Sequence, residues 1–95
     1  MRLIVSKEAA ADLVRLREFL MDRNPGAAQR AAAAISNAIR SLGMYPERGR
    51  QSAVTNAREL VVPFGRSAYI VRYALLTETD EVIILRVWHG REQRE

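Results

Sequence analysis

The chain contains no cysteine, one histidine (His89), one tryptophan (Trp88) and, among its fifteen basic residues, one lysine (Lys7). Each scarcity removes a class of chemistry. Without cysteine there is no disulfide frame and no thiolate nucleophile, which accords with a reducing compartment. One histidine and scattered carboxylates offer no ligand spacing, so no metal site is expected. The five glycines form no phosphate-cradling loop, and no cofactor is expected. No apolar run approaches the roughly 20 residues that span a bilayer, and the apolar stretch of MRLIVSKEAA is too short for a signal peptide. A cytoplasmic protein with no membrane association is the expectation.

What is abundant is arginine, fourteen residues of it, in a chain of net charge +4 and sequence pI near 10.3. Arginine makes bidentate contacts to carboxylates and phosphates, stacks on rings and keeps its proton. An acidic protein or a nucleic acid is therefore the fitting partner, although a coding bias toward arginine produces the same ratio. Ninety-five residues, 48% of them hydrophobic, can close one core, so a single domain over residues 1–95 is expected.

Arg2 to Val5 reads as a short strand. Ser6 is an N-cap signal, and Ala9, Leu13, Leu16 and Leu20 then recur at helical spacing to about Arg23, with Phe19 widening the stripe. Asn24-Pro25 ends that helix and starts another, whose apolar line runs Ala28, Ala31 or Ala32, Ile35, Ile39 and Leu42, with Gly43 as its stop signal. Helices joined so tightly form an antiparallel hairpin. Residues 43–57 break the periodicity and form a long loop carrying Arg48 and Arg50.

The remainder alternates. Arg58 to Val62 begins a sheet, Pro63-Phe64-Gly65-Arg66 reads as a turn, and Ser67 to Leu76 is the next strand. Thr77 to Glu81 lacks a tight-turn pair, so a loop longer than two residues is expected there. Strict alternation in the last strand puts Ile83, Leu85 and Val87 on the helix side with Val71 and Leu75. It puts Val82, Ile84, Arg86 and Trp88 on the other face with Ile70 and Arg72. Arginine amid isoleucine and tryptophan is the composition of an interface. In simple register Arg72 and Arg86 stand opposite each other, a repulsive arrangement unless an anion lies between them.

The order of these pieces, and above all RELVVPFGRSAYIVRYAL followed by EVIILRVWHGREQ, resembles the RelE/ParE superfamily of bacterial type II toxin–antitoxin toxins, on the ParE-like side, over the whole chain. The resemblance implies an α+β fold: a short N-terminal strand, an antiparallel helical hairpin, then a three-stranded antiparallel meander completing a curved sheet with the helices on one face. It implies a cognate antitoxin, ParD-like or RelB-like, that carries most of any DNA contact, in systems associated with plasmid stabilization. Ile70, Arg72, Ile84, Arg86 and Trp88 are the residues expected to receive the antitoxin.

Two activities divide the superfamily, ribosome-dependent messenger cleavage and inhibition of DNA gyrase by binding. Cleavage needs a base, an acid and cations for the phosphate, and arginine supplies only the last. RelE-like enzymes resemble one another in loop lysines, an arginine after the strand tyrosine and a tyrosine near the C-terminus. Here the loop has no lysine, Ile70 follows Tyr69, and no tyrosine follows Tyr73. A nuclease would have to use His89 as acid or base, Glu92 as the alternative base, and Arg72, Arg86 and Arg91 on the phosphate. The preferred expectation is gyrase inhibition with no catalytic residue, the target being met by Trp88, His89, Arg91 and Arg94. The alternative is the ribosome-dependent endoribonuclease, and the third a non-toxic remnant that only binds its partner.

Overall fold

Ser6 is where strand becomes helix. In a computed structural model of the chain, which describes residues 1–53 and 55–92, strand β1 (Arg2–Val5) stops there because the Ser6 hydroxyl accepts the Ala9 amide at 3.0 Å and caps helix α1 (Lys7–Arg23). Asn24 then serves both helices. Its own N–H closes the end of α1 on Leu20, and its side chain accepts the Ala27 amide of helix α2 (Pro25–Met44), with Pro25 in the first turn, where its missing N–H is no loss. Helix α2 runs through Gly43, the expected stop. Gly43 does not adopt the left-handed conformation of a terminating glycine, and the helix closes instead where the Tyr45 amide reaches Ser41 at 2.8 Å.

The sheet has the order β1-β5-β4-β3-β2, with β1 parallel to β5 and every other pair antiparallel. Its members are β2 (Arg50–Gln51), β3 (Arg58–Phe64), β4 (Ser67–Leu76) and β5 (Glu81–His89). Strand β2 is a two-residue element inside the expected loop, too short to show a period. Pro63 and Phe64, expected in a turn, belong to β3. Beyond Glu59 the outer edge of β3 has no strand partner among the described residues, and a sheet edge tolerates proline. The turn is Gly65-Arg66, with Gly65 at φ 61°.

Both helices pack on one face of this sheet. Ala9, Leu16, Ala31, Ile35, Ala38, Ile39 and Leu42 meet Leu60, Val62, Tyr69, Val71, Tyr73, Val82, Ile84 and Val87 in one apolar core. Phe19, expected in the stripe, is instead 55% exposed with the Arg23 guanidinium 3.8 Å above its ring.

Strict alternation fails in β5. Tyr73 pairs with Ile84 but Arg72 pairs with Arg86, so Leu85 is an extra residue, a β-bulge. The slip corrects the expected faces. Val82 and Ile84, assigned to the outer face, are fully buried against the helices, and Ile83 and Leu85 are not in that core. After the bulge the parity recovers, and Val87 points inward as expected. Burying Ile84 contributes about 2 kcal/mol, which is why the strand keeps it inside at the expense of regular pairing.

The loop before β3 is tied to the sheet by one side chain. The Tyr73 hydroxyl donates to the Pro46 carbonyl at 2.7 Å and accepts the Gly49 amide at 2.8 Å. Arg58 adds a bond to the Gly49 carbonyl at 2.8 Å. Burial, despite the Gly49 amide and the charges of Arg58 and Arg48, raises the Tyr73 phenol above its ordinary value, so it remains a donor at neutral pH.

Candidate functional site

The C-terminal half of β5 collects most of the residues singled out from sequence. Strand β1 pairs with β5 only as far as Ile84, so among the described residues the β5 edge beyond it has no strand partner. Side chains take the place of the missing strand. The Ser6 hydroxyl donates to the Leu85 carbonyl at 3.0 Å, Asp12 accepts the Val87 amide at 2.9 Å, and Glu92 accepts the His89 amide at 2.8 Å.

Asp12 is the most consequential residue that sequence reasoning missed. It is 4% exposed and holds the Arg86 guanidinium with both oxygens, at 2.8 and 3.0 Å, while Arg15 stands 3.5 Å away. Burial acts to raise its pKa, but the bonds from Arg86 and Val87 and the charges of Arg86 and Arg15 outweigh it, and the carboxyl titrates below its ordinary value. One signal was available: Asp12 lies between Ala9 and Leu16 on the apolar stripe, where an acid needs a partner.

Arg72 and Arg86 share a rung, as expected, but no foreign anion is needed between them. Arg72 binds Glu59 at 2.9 and 3.0 Å, and Arg86 goes to Asp12. Arg72 also lies over Trp88, its guanidinium carbon 4.8 Å from the ring centroid. Trp88 is only 7% exposed, and Ile70 pairs with it across the strands. Of the five residues expected to receive an antitoxin, Ile70, Arg72 and Trp88 therefore form one outer patch. Arg86 is drawn to α1, and Ile84 is withdrawn into the core.

His89 stands on the other side of the sheet. It pairs with Tyr69, a core-facing residue, and the rings meet edge to face at 5.3 Å. Its Nδ1 accepts the Arg91 amide at 3.2 Å. Burial, with the charge of Glu92, pushes the Tyr69 phenol above its ordinary value. The sheet thus separates His89 from Arg72, while Arg91 and Glu92 of the sketched nuclease constellation stay beside His89. Glu92 is turned back onto the His89 amide and Arg15, and Arg91 is exposed. Arg94 lies outside the described residues. Among those residues no cluster of His, Cys, Asp or Glu could hold a metal, and no helix is long and apolar enough to cross a membrane.

A second feature was invisible in the sequence. Between the two helices runs an open apolar cavity of about 310 Å³, walled by Leu13, Leu16 and Leu20 of α1 and Ala28, Ala31 and Ile35 of α2, with Val5 and Tyr69 reaching it from the sheet. Arg17 and Arg40 also line it, and neither has a carboxylate partner among the described residues.

Residues 3–94 match the family described as "ParE toxin of type II toxin-antitoxin system, parDE". The chain belongs to the ParE toxin family. Its curated relatives within the wider RelE/ParE group include Toxin RelE1 of Caulobacter vibrioides, 44% identical over 91 residues, covering 96% of this chain and 95% of that protein. Toxin RelE3 of the same organism is 37% identical over 86 residues, 90% of each chain. Among solved structures, a chain of "Chromosomal ParDE TA system from P. aeruginosa" superposes with a TM-score of 0.78 at 25% identity, over 94% of this chain and 95% of that one. The ParE fold is thus two helices on one face of a mixed five-stranded sheet, as described above, and the chain is a type II toxin–antitoxin toxin.

Proposed function

We propose that this toxin acts by binding DNA gyrase, without turning over a substrate, and that a ParD-like antitoxin neutralises it. The observation that carries the reading is the division of candidate residues by the sheet. RNA cleavage needs a proton carrier and phosphate-binding cations that converge on one scissile phosphate. Here His89 packs on Tyr69 with Nδ1 occupied and Arg91 as the one candidate arginine beside it, while Arg72 lies over Trp88 on the opposite face and Arg86 is committed to Asp12. What the region offers is a surface: half-buried Ile70 and Arg72 on the outer face over a nearly buried Trp88, and His89 and exposed Arg91 at the end of β5, continued by Arg94 in sequence.

The antitoxin has a separate receiver. The apolar cavity with Arg17 and Arg40 along it suits an amphipathic helix whose flanks carry Asp or Glu. The outer patch, expected from sequence to play this part, has its arginine already neutralised by Glu59, so it belongs with target binding in our reading.

Two assays on the purified toxin test this together: gyrase supercoiling and messenger cleavage on programmed ribosomes. Inhibited supercoiling with intact messenger is the expected result. Normal supercoiling at saturating toxin overturns the gyrase reading. Cleavage abolished by His89→Ala would establish the endoribonuclease instead. Inactivity in both assays, and in cells, would leave the partner-binding remnant.

A further inference from the structure

We propose that Arg15 and Glu92 are positioning residues that hold the turn after β5 in its target-binding pose; this rests on the assignment of that segment to target recognition. The amides of Val87 and His89 both point to the edge that β1 leaves vacant. Asp12 takes the first at 2.9 Å and Glu92 the second at 2.8 Å. Arg15 spans the two carboxylates, 2.7 Å from Glu92 and 3.5 Å from Asp12. Helix α1 therefore reaches the C-terminal turn through a carboxylate–guanidinium–carboxylate chain.

The turn is fixed from its other side as well. The Glu92 amide returns to the His89 carbonyl at 2.9 Å, and the Gly90 amide donates to the Ala68 carbonyl at 2.8 Å. A side chain on residue 90 would begin 3.2 Å from that carbonyl, so the close approach suits glycine. The Arg91 amide is spent on His89 Nδ1. All this backbone bonding leaves one side chain outward: Arg91 is exposed and has no carboxylate partner among the described residues. An unpaired guanidinium on a pinned turn loses little freedom when it meets an acidic group, which is the advantage of preorganisation. Glu92 and Arg15 lie far from each other in sequence, and neither needs to touch the target.

The test uses Arg15→Ala, Arg15→Lys, Arg91→Ala and the double variant Arg15→Ala/Arg91→Ala. Three quantities are read: the dose for growth arrest under titrated expression, hydrogen exchange of the His89 amide, and the urea midpoint. Arg15→Ala should raise both the dose and the exchange rate about fivefold, the upper range for a partly exposed ion pair, with the midpoint nearly unchanged. Arg15→Lys should restore most of both. If Arg15 acts by presenting Arg91, the double variant should be no weaker than Arg91→Ala alone. Additive losses, or faster His89 exchange with an unchanged dose, overturn the proposal, as does unchanged exchange. A wild type that arrests growth yet spares supercoiling removes gyrase as target while the Arg15 comparison still decides positioning. A wild type that arrests nothing removes both.

Discussion

Arg72 and Arg86 stand on one rung of the β4–β5 pair, and each is neutralised by an acid from a different direction. Glu59 comes from the neighbouring strand, Asp12 from the helix beyond the free edge. The two acids are not equivalent. The Asp12 side chain is 6% exposed and also holds a backbone amide, whereas the Glu59 side chain is 27% exposed. Asp12→Ala strands both Arg86 and the Val87 amide and should cost about 2–4 kcal/mol, against roughly 1 kcal/mol or less for Glu59→Ala. Urea midpoints of the two variants give the comparison directly.

Acid should unfold the toxin in a defined window. Hydrogen bonds from Arg2 and Thr79 lower the Glu81 carboxyl, and Asp12 is lowered against the effect of its burial. Both folded values lie below the unfolded ones, so the stability they contribute is complete above about pH 4–5 and lost as pH falls through the folded values. Urea midpoints should be level from neutral pH to about 5 and drop below about 4, with a shallower drop in Asp12→Asn, which cannot titrate there.

Gly49 and Tyr73 make a lock that small changes will spoil. A Cβ at residue 49 would lie 2.6 Å from the Tyr73 hydroxyl and 3.0 Å from the Glu59 carbonyl. Gly49→Ala should cost about 1–3 kcal/mol through overpacking. Tyr73→Phe should cost a similar amount, about 1–3 kcal/mol, by leaving the Gly49 amide and Pro46 carbonyl without their partner. Faster tryptic cleavage at Arg48 and Arg50, relative to cleavage elsewhere, would show that the loop has come loose from the sheet.

Partner binding should separate by face. Arg17→Glu with Arg40→Glu puts acids along the cavity and should weaken binding of the cognate antitoxin by a hundredfold or so, about 3 kcal/mol. Arg72→Glu should leave that affinity within about threefold, since its charge is already spent inside the chain. Titration calorimetry on the reconstituted pair measures both. The opposite ranking would return the antitoxin to the outer face.

The fold was largely legible because its signals are local. Ser6 and Asn24 cap, Pro25 starts a helix, and the alternation of Tyr69, Val71 and Tyr73 places β4 correctly. The site was less so, for one reason that propagates. Parity transfers along a strand only while the pairing is regular, and the extra residue at Leu85 inverts it for Val82 and Ile84 while leaving Val87 and Trp88 in place. The bulge has no signature of glycine or proline. Asp12, Arg15 and Glu92 were unreadable as a group because their meeting depends on where β1 stops against β5, a contact between distant parts of the chain. The cavity likewise exists only once both helices lie on the sheet.

Because β1 pairs with β5 alone among the described residues, it has no sheet partner until β5 is in place. The Arg2–Glu81 ion pair closes a separation of 79 residues. Such closures come late and slowly, since the intervening chain must first be ordered. A folding chain therefore lacks its completed β5 edge, and with it the pinned turn, until that distant closure is made. Under the proposed function, the topology ties the binding surface to one of the longest-range contacts of the fold rather than to any local element.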